Sequence, residues 1–288
     1  MKPTTPLGSD RTEAAAADRP ITGLAAGVPF VATAPPGGPR PGAPIVLAWH
    51  LMDPPRTETA FAAALPLAGL DAWRIYLGLP LSGSRLPPGG FEELMALGYS
   101  DAVLDLQQPV VYGAARELPA ALKALHEQLR LDGDLVGLMG GSIGAAVAQL
   151  VLVEGPVPVR AAVLVSPVVQ LRRAVEAMAR RFGFTYRWSD AAHAVAARLD
   201  FVARAPEFPP DAAVLLAVGE DDDAEFRDAA AGLRDALRQH RGACAELTTI
   251  AGMGHALADE PGMETAPQSP HAAAVDRVAV EWFQRHLV

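Results

Sequence analysis

A serine flanked by glycines is the residue of this chain best suited to nucleophilic chemistry. It lies in the segment Gly140-Gly-Ser-Ile-Gly144, with glycines two residues before and two residues after Ser142. An apolar run ends at Gly140 and an alanine-rich helical pattern starts at Ile143, which predicts a tight strand-to-helix turn. Such a turn strains the serine backbone and exposes the hydroxyl, and the helix N-terminus adds a positive field that favours an oxyanion. The alternatives are a glycine-rich turn with an idle serine or a phosphate-binding turn, but G-x-x-x-x-G-K-[ST] and a full G-x-G-x-x-G are absent.

A general base for this serine is sought among seven histidines. A serine hydroxyl needs a base to become nucleophilic, and the pKa of histidine lies near neutrality. His255 follows an apolar strand pattern and stands in Ala251-Gly-Met-Gly-His-Ala-Leu257, where glycines let the loop fold back over a sheet edge. We therefore predict His255 as the base. The other histidines are interpreted as surface or half-buried polar residues: His50, His126, His193, His240, His271 and His286.

An acid that orients the histidine is expected between the serine and the histidine in chain order. Four acids follow the strand pattern that ends at Gly219: Glu220, Asp221, Asp222 and Asp223. The cluster would equally suit a solvated loop or a helix N-cap, because a helical pattern begins near Ala224. Glu220 stands too early and Asp223 suits the cap. The residues alone leave Asp221 and Asp222 as candidates.

Short apolar runs alternate with helical patterns over most of the chain. The predicted strands are Val28–Thr33, Ile45–Trp49, Ala72–Leu77, Leu135–Met139, Ala161–Val165, Ala213–Val218 and Ala245–Ile250. The predicted helices are Thr57–Leu67, Ala115–Arg130, Ile143–Val153, Ala224–His240 and Ala272–His286. Continuous apolar runs are typical of strands buried on both faces. The order predicts an α/β fold with a mostly parallel central sheet flanked by helices.

Two segments depart from this alternation. Residues 1–20 are rich in Ala, Pro, Thr and charge, without apolar periodicity, and are predicted to form a flexible N-terminal tail. Residues 171–205 carry two helical patterns with no strand between them, and we predict a small helical cap there. The remaining residues, 21–170 and 206–288, form the predicted core.

The glycine-containing segments that carry the serine, the acids and the histidine together resemble the α/β-hydrolase superfamily, a group of serine hydrolases. The resemblance rests on Gly140–Gly144, on the strand-Gly-x-x-Asp turn at Gly219–Asp222 and on the loop Gly252–His255, and it extends over the chain from about Val28. It implies the α/β-hydrolase fold and a Ser-His-Asp triad. In that family the acid usually stands three residues after the glycine, which favours Asp222.

The resemblance also implies an oxyanion-hole loop, often His-Gly-x, after an early strand. The matching segment is Ile45-Val-Leu-Ala-Trp-His-Leu-Met-Asp-Pro-Pro55, in which the histidine is His50 and Leu51 replaces the glycine. By position, the backbone N–H groups of Met52 and Ile143 would form the oxyanion hole, with Leu51 as the alternative to Met52. Asp53 is interpreted as a turn residue rather than a second acid, because two prolines follow it.

The predicted cap contains four aromatic residues close together, which are Phe182, Phe184, Tyr186 and Trp188. With the apolar residues of the oxyanion loop they predict an apolar substrate pocket, and we assign Leu51, Phe184 and Trp188 to it. The alternative is that these aromatic side chains only join the cap to the core.

Bulk composition excludes several classes of function. The chain has 288 residues, a formal net charge of −9 and 50% hydrophobic residues, which is enough for one large core and disfavours nucleic acid as a partner. Cys244 is the only cysteine, so no intrachain disulfide or Cys-rich zinc site can form, and we predict no metal or cofactor. Neither a secretory signal nor an apolar run of about 18 residues is present, so the expectation is a soluble cytoplasmic protein without membrane insertion.

The resemblance implies cleavage of an ester, thioester or lactone of a small, largely apolar molecule through an acyl-enzyme intermediate. Amide cleavage is also compatible with a triad, but peptidase relatives often carry a propeller domain, for which we expect no room in this chain. The alternatives are an acyltransferase, in which an alcohol attacks the acyl-enzyme, and a non-catalytic ligand-binding protein of the same fold. The sequence does not indicate an oligomeric state.

Overall fold

The computed structural model describes residues 19–155, 157–241 and 244–288. The predicted flexible tail over residues 1–20 therefore lies almost entirely outside the described residues.

The core of the molecule is an eight-stranded, mostly parallel sheet, as the apolar runs predict. The strands are β1 (Ile21–Ala25), β2 (Val28–Thr33), β3 (Ile45–Trp49), β4 (Trp73–Leu77), β5 (Val136–Gly141), β6 (Val159–Val165), β7 (Ala213–Gly219) and β8 (Ala245–Ile250). Their order across the sheet is β1-β2-β4-β3-β5-β6-β7-β8. The strand β2 pairs antiparallel with β1 and β4, and every other pairing is parallel.

Helices cover both faces of the sheet. They are α1 (Glu58–Ala64), α2 (Gly90–Asp101), α3 (Gln108–Leu129), α4 (Ile143–Glu154), α5 (Leu171–Phe182), α6 (Asp190–Arg198), α7 (Ala224–Arg241) and α8 (Pro270–His286). On one face, α3, α4 and α7 bury apolar side chains against the sheet, and on the other face α1 and α8 do so. None of the helices in the described ranges combines the length and apolar character that a bilayer span requires.

Alternate residues of each central strand enter opposite cores, which explains why these strands are apolar throughout. In β3, Ile45, Leu47 and Trp49 pack on the α3–α4 side, whereas Val46 and Ala48 pack on the α1–α8 side. All five residues are buried. A strand covered on both faces needs this continuous run, in contrast to the alternation of a half-exposed strand.

Two insertions rise above the carboxyl edge of the sheet. One contains α5 and α6, between β6 and β7, in the segment predicted as a cap. The other contains α2 and a π-helical segment, Ala102–Gln107, between β4 and β5. Ligands of open parallel sheets bind outside the carboxyl ends of the strands, so these two insertions flank the place where a site is expected.

Candidate active site

Three of the predicted residues form a continuous hydrogen-bonded chain at the carboxyl ends of β5, β7 and β8. The Oγ of Ser142 lies 2.8 Å from Nε2 of His255. The other ring nitrogen, Nδ1, lies 3.0 Å from each carboxylate oxygen of Asp222. This is the order nucleophile, base and orienting acid that activates a serine.

The serine stands at a sharp turn between β5 and α4, with φ 48° and ψ −114°. Positive φ is unusual for a residue with a side chain, and here the surroundings impose it. The Ser142 N–H donates to the carbonyl of Val165 at 2.9 Å, and the Ser142 carbonyl accepts the N–H of Val168 at 3.2 Å. A Cβ on Gly140 or Gly144 would collide with neighbouring backbone, so the two glycines of the motif are required for the turn to pack.

The histidine is held against its acid in a nearly closed environment. Its side chain is 14% exposed, and that of Asp222 is 1% exposed. The ring of Phe226 packs 4.4 Å from the imidazole, between centroids. Burial lowers the pKa of His255, but the hydrogen bond to Asp222 and the charges of Asp222 and Asp53 outweigh it, so the pKa lies above its ordinary value of 6.5.

The acids beside Asp222 make hydrogen bonds within the loop and in the first turn of the next helix. The Asp221 N–H donates to the Met253 carbonyl at 2.9 Å, which fastens the acid loop to the histidine loop. The Asp223 carbonyl accepts the N–H of Phe226 in the first turn of α7. Hydrogen bonding with Glu225 is the main cause that lowers the pKa of the Asp223 carboxyl. The helix-capping role expected of Asp223 therefore fits its position.

Asp53 lies closer to the reacting groups than a simple turn residue would. One of its carboxylate oxygens is 3.9 Å from Nε2 of His255, and the side chain is 37% exposed. It lines the same cavity as Ser142. The hydrogen-bonded acid is Asp222, as the interpretation of Asp53 as a turn residue requires, but the charge of the nearby Asp53 carboxylate also raises the pKa of His255.

The loop after β3 contains the buried His50, followed by Leu51 at the position where the resemblance implies a glycine. The Nδ1 of His50 lies 2.7 Å from the Leu51 carbonyl, and its Nε2 accepts the N–H of Leu79 at 3.3 Å. Burial lowers the pKa of His50 to about 4, so the ring is neutral and donates from Nδ1. The side chain of Leu51 packs beneath Gly141 and is fully buried. This arrangement fixes the bend that leads to Met52.

Met52 and Ile143 both line the cavity that opens at Ser142. The Met52 carbonyl accepts from Nε of Arg56 at 2.7 Å, and the Arg56 guanidinium also binds the Pro261 carbonyl and the Glu260 carboxylate. The loop is thus held from both sides. The backbone N–H groups of Met52 and Ile143 remain our candidates for an oxyanion hole.

The cavity has a volume of about 500 Å³ and is mainly apolar. One wall comes from the segment 171–205, through Ala174, Met178 and Phe184. The opposite wall comes from α2 and the π-helical segment, and includes Leu94, Met95, Leu106 and Gln107. The helix α2 in this second wall was not predicted from the sequence, although apolar residues at three- and four-residue spacing from Phe91 onward are a helical signal.

Two of the three predicted pocket residues do not line the cavity. Among the described residues that line it, Phe184 is present, whereas Leu51 and Trp188 are absent. Leu51 is turned down against the serine turn. Trp188 packs against other residues of the segment 171–205. The Arg172 guanidinium lies 4.1 Å over its ring, and the His193 ring stacks on it at 5.5 Å. The structure therefore does not place Leu51 and Trp188 in the cavity lining, and the contacts of Trp188 favour the alternative of a structural aromatic.

Within the described ranges, no group of three His, Cys, Asp or Glu side chains is arranged to hold a metal ion. The hydroxyl, imidazole and carboxylate of the three-residue chain are sufficient for acyl transfer through a covalent intermediate.

Comparisons with known proteins agree with this geometry. A family model described as the prolyl oligopeptidase family matches residues 113–287, which is more than half of the chain and includes all three hydrogen-bonded residues. No curated protein matches the chain.

Solved structures share the fold. A protein of Thermus thermophilus is 19% identical with a TM-score of 0.63, and the match covers 93% of this chain and 97% of that chain. A dienelactone hydrolase from Anabaena variabilis is 18% identical with a TM-score of 0.54, covering 93% and 99%. A puromycin-hydrolyzing peptidase of Mycobacterium tuberculosis is 16% identical with a TM-score of 0.63, covering 94% of this chain but 39% of that chain. At these identities the likeness shows the α/β-hydrolase fold alone.

Proposed function

This chain belongs to the prolyl oligopeptidase family of α/β-hydrolase serine hydrolases, and on that premise we propose that it cleaves an ester, thioester or lactone of a small, largely apolar substrate. The observation that carries the proposal is the unbroken hydrogen-bonded chain from Asp222 through His255 to Ser142, which opens into an apolar cavity of about 500 Å³. In this proposal Ser142 is the nucleophile, His255 the base and Asp222 the orienting acid.

The first step transfers the acyl group to the enzyme. As Oγ of Ser142 attacks the substrate carbonyl, its proton passes to Nε2 of His255, 2.8 Å away. Asp222 keeps the ring in the tautomer that can accept this proton and stabilises the imidazolium. The carbonyl oxygen becomes an oxyanion facing the N–H groups of Ile143 and Met52. The imidazolium then protonates the leaving alcohol or thiol, which departs and leaves Ser142 acylated.

The second step returns the enzyme to its starting state. A water molecule gives a proton to His255 and adds its oxygen to the acyl carbon, and the imidazolium returns that proton to Oγ of Ser142 as the acid product leaves. A backbone strained around Ser142 keeps Oγ in position in both steps.

The cavity supports the assignment of a small apolar substrate. Its two walls come from α2 with the π-helical segment and from the segment 171–205, which we propose as a cap. A volume of about 500 Å³ lies in the range of small-molecule pockets. Apolar walls gain free energy by burying hydrocarbon, whereas a highly charged substrate would lose hydration there.

The test combines a covalent label with a substrate panel. A fluorophosphonate should label the wild-type protein once and Ser142→Ala not at all, as measured by intact mass. Ser142→Ala should also lose several orders of magnitude in kcat/KM on p-nitrophenyl esters of increasing chain length. Single-residue p-nitroanilides form the second arm. Labelling of Ser142→Ala would contradict the nucleophile, and faster cleavage of the anilides than of every ester would contradict the ester assignment.

A further inference from the structure

The wall of the cavity formed by the π-helical segment carries an uncharged polar side chain among apolar ones. Gln107 lines the cavity and is 6% exposed. Its lining neighbours on the same wall, Leu94 and Leu106, are apolar and buried. Within the described ranges, the Gln107 amide makes no hydrogen bond to another residue. Buried side-chain amides are normally hydrogen-bonded. The described part of the folded chain supplies no such partner to the Gln107 amide, so the amide is available to bind a polar group in the cavity.

A comparison within the molecule shows what a structural glutamine does here. Gln149 on α4 is fully buried, and its Nε2 donates to the carbonyls of Ala145 and Val168 at 2.9 and 3.0 Å. The bond to Val168 joins α4 to the segment after β6, whereas Oε1 of Gln149 has no hydrogen-bond partner within the described ranges. Gln107 makes no such bond, and it is one of the residues that line the cavity.

The backbone that presents Gln107 is itself unusual. It ends the π-helical segment Ala102–Gln107, and the following N–H, of Gln108, donates to the Val103 carbonyl five residues back. The segment begins at Asp101, whose carboxylate accepts two backbone N–H groups and the hydroxyl of Tyr186 from the cap. Short π-helical segments occur frequently at functional sites. Both ends of this one are fixed, so the wide turn holds the Gln107 side chain at the cavity.

We propose that Gln107 is a specificity-determining residue that hydrogen-bonds an uncharged polar group of the substrate, such as a hydroxyl, keto or amide group, within the cavity. The inference rests on the proposed function and deepens it by naming the substrate class: an apolar ester with one such group. An amide side chain offers both a donor and an acceptor, which suits these groups. Asp53, Arg56 and Arg181 also line the cavity, but a charged group on the wall that carries Gln107 would lie beside the apolar Leu94 and Leu106 at a high desolvation cost.

The kinetic test uses p-nitrophenyl alkanoates of six to nine carbons, with and without a hydroxyl at each position from carbon 3 outward. For the wild type, kcat/KM at the best hydroxyl position should exceed that of the matching plain ester by about tenfold or more, because a plain chain leaves the amide unpaired. Gln107→Leu should remove this ratio. Gln108→Leu is the matched control, since it makes the same change one residue along the chain, outside the described cavity lining, and should preserve the ratio.

A second test needs no turnover. In Ser142→Ala, linear diols should raise the melting temperature more than the matching linear alcohols at equal concentration, because Gln107 holds one hydroxyl. The difference should vanish in Ser142→Ala with Gln107→Leu and persist in Ser142→Ala with Gln108→Leu. A structural role for Gln107 would instead appear as a lower melting temperature of Gln107→Leu without ligand.

The outcomes separate the two proposals. If esters are cleaved but Gln107→Leu alters neither the ester ratio nor the diol difference, the role of Gln107 is refuted and the hydrolase stands. If no ester is cleaved but the diol difference depends on Gln107, the proposed reaction fails and the polar subsite stands. Should Gln108→Leu remove the selectivity as Gln107→Leu does, the effect belongs to the helix and the inference is wrong.

Discussion

Replacing Asp222 by Asn tests the proposed acid with a change of one atom. The Asp223 N–H donates to Oδ1 of Asp222 at 2.7 Å. In Asp222→Asn the amide oxygen is expected to keep this bond, which places the NH2 group at the position of Oδ2, 3.0 Å from Nδ1 of His255. The NH2 group then competes with the amide oxygen, which also lies 3.0 Å from Nδ1, and it favours the tautomer in which Nδ1 accepts and Nε2 carries the ring proton. That nitrogen then faces Ser142 as a donor and cannot accept the serine proton.

The expected loss is on the order of 10⁴ in kcat, as for loss of the orienting acid in other triads. This corresponds to about 5 kcal/mol of transition-state stabilisation, since each tenfold is about 1.4 kcal/mol. The comparison with other triads applies here because the Asp222 side chain is 1% exposed and hydrogen-bonded to the imidazole. The assay is the initial rate with a saturating p-nitrophenyl ester, with melting temperature as the check on folding.

The flanking acids supply matched controls for the same substitution. Asp221→Asn and Asp223→Asn should each cost less than about tenfold, because neither carboxylate is hydrogen-bonded to the imidazole and exposed charges contribute little. Asn is as good an N-cap as Asp, so Asp223→Asn should keep α7 intact. A folded Asp222→Asn variant with more than about a tenth of wild-type kcat would refute the assignment. A dead Asp221→Asn or Asp223→Asn variant would show that another carboxylate acts on the ring.

Three further predictions follow from the geometry. The profile of kcat/KM for a neutral ester should rise with pH through one ionisation above 6.5, because His255 must be neutral to act as a base and its pKa is raised. Asp53→Asn should move the profile to lower pH, and an unmoved profile would show that the Asp53 carboxylate does not raise the pKa of His255. Phe184→Ala should alter the preference for ester chain length, whereas Trp188→Ala should lower the melting temperature without altering that preference, and the reverse pattern would contradict the cavity described here. Gly144→Ala should abolish fluorophosphonate labelling or folding, because its Cβ would meet backbone, and a fully active variant would show that the turn is looser than the structure indicates.

The sheet was predictable where burial on both faces leaves a mark in the sequence. The predictions of β2 as Val28–Thr33 and of β3 as Ile45–Trp49, both buried over most or all of their length, coincide with the observed strands. The strand β1 was missed because it lies at the sheet edge and exposes four of its five residues, so no apolar run marks it. Position at an edge does not by itself decide the outcome, because β8 at the other edge is only partly buried and was still predicted as Ala245–Ile250.

Within the site, glycine-rich loops after strands predicted the functional residues, whereas the orientation of side chains could not be predicted from the sequence. Ser142 and His255 each stand in a glycine-rich loop after an apolar run, and these signals are local. The choice between Asp221 and Asp222 depends on which side chain turns toward the ring, and the residues alone left it open. The position of Trp188 outside the cavity lining could not be predicted for the same reason, because its contacts Arg172 and His193 come from two different helices.

The chemistry and the choice of substrate depend on different parts of this chain. The three hydrogen-bonded residues stand on turns fixed by the central sheet, where backbone packs on backbone around Ser142. The cavity walls come from two insertions, and the hydroxyl of Tyr186 in one insertion donates to Asp101 in the other at 2.5 Å. Asp101 also caps the segment that ends at Gln107, so one carboxylate contacts both the insertion 171–205 and the segment that carries this amide. Changes in the insertions can therefore alter which substrate fits while the reacting groups keep their geometry, and a family resemblance carried by the turns alone leaves the substrate open.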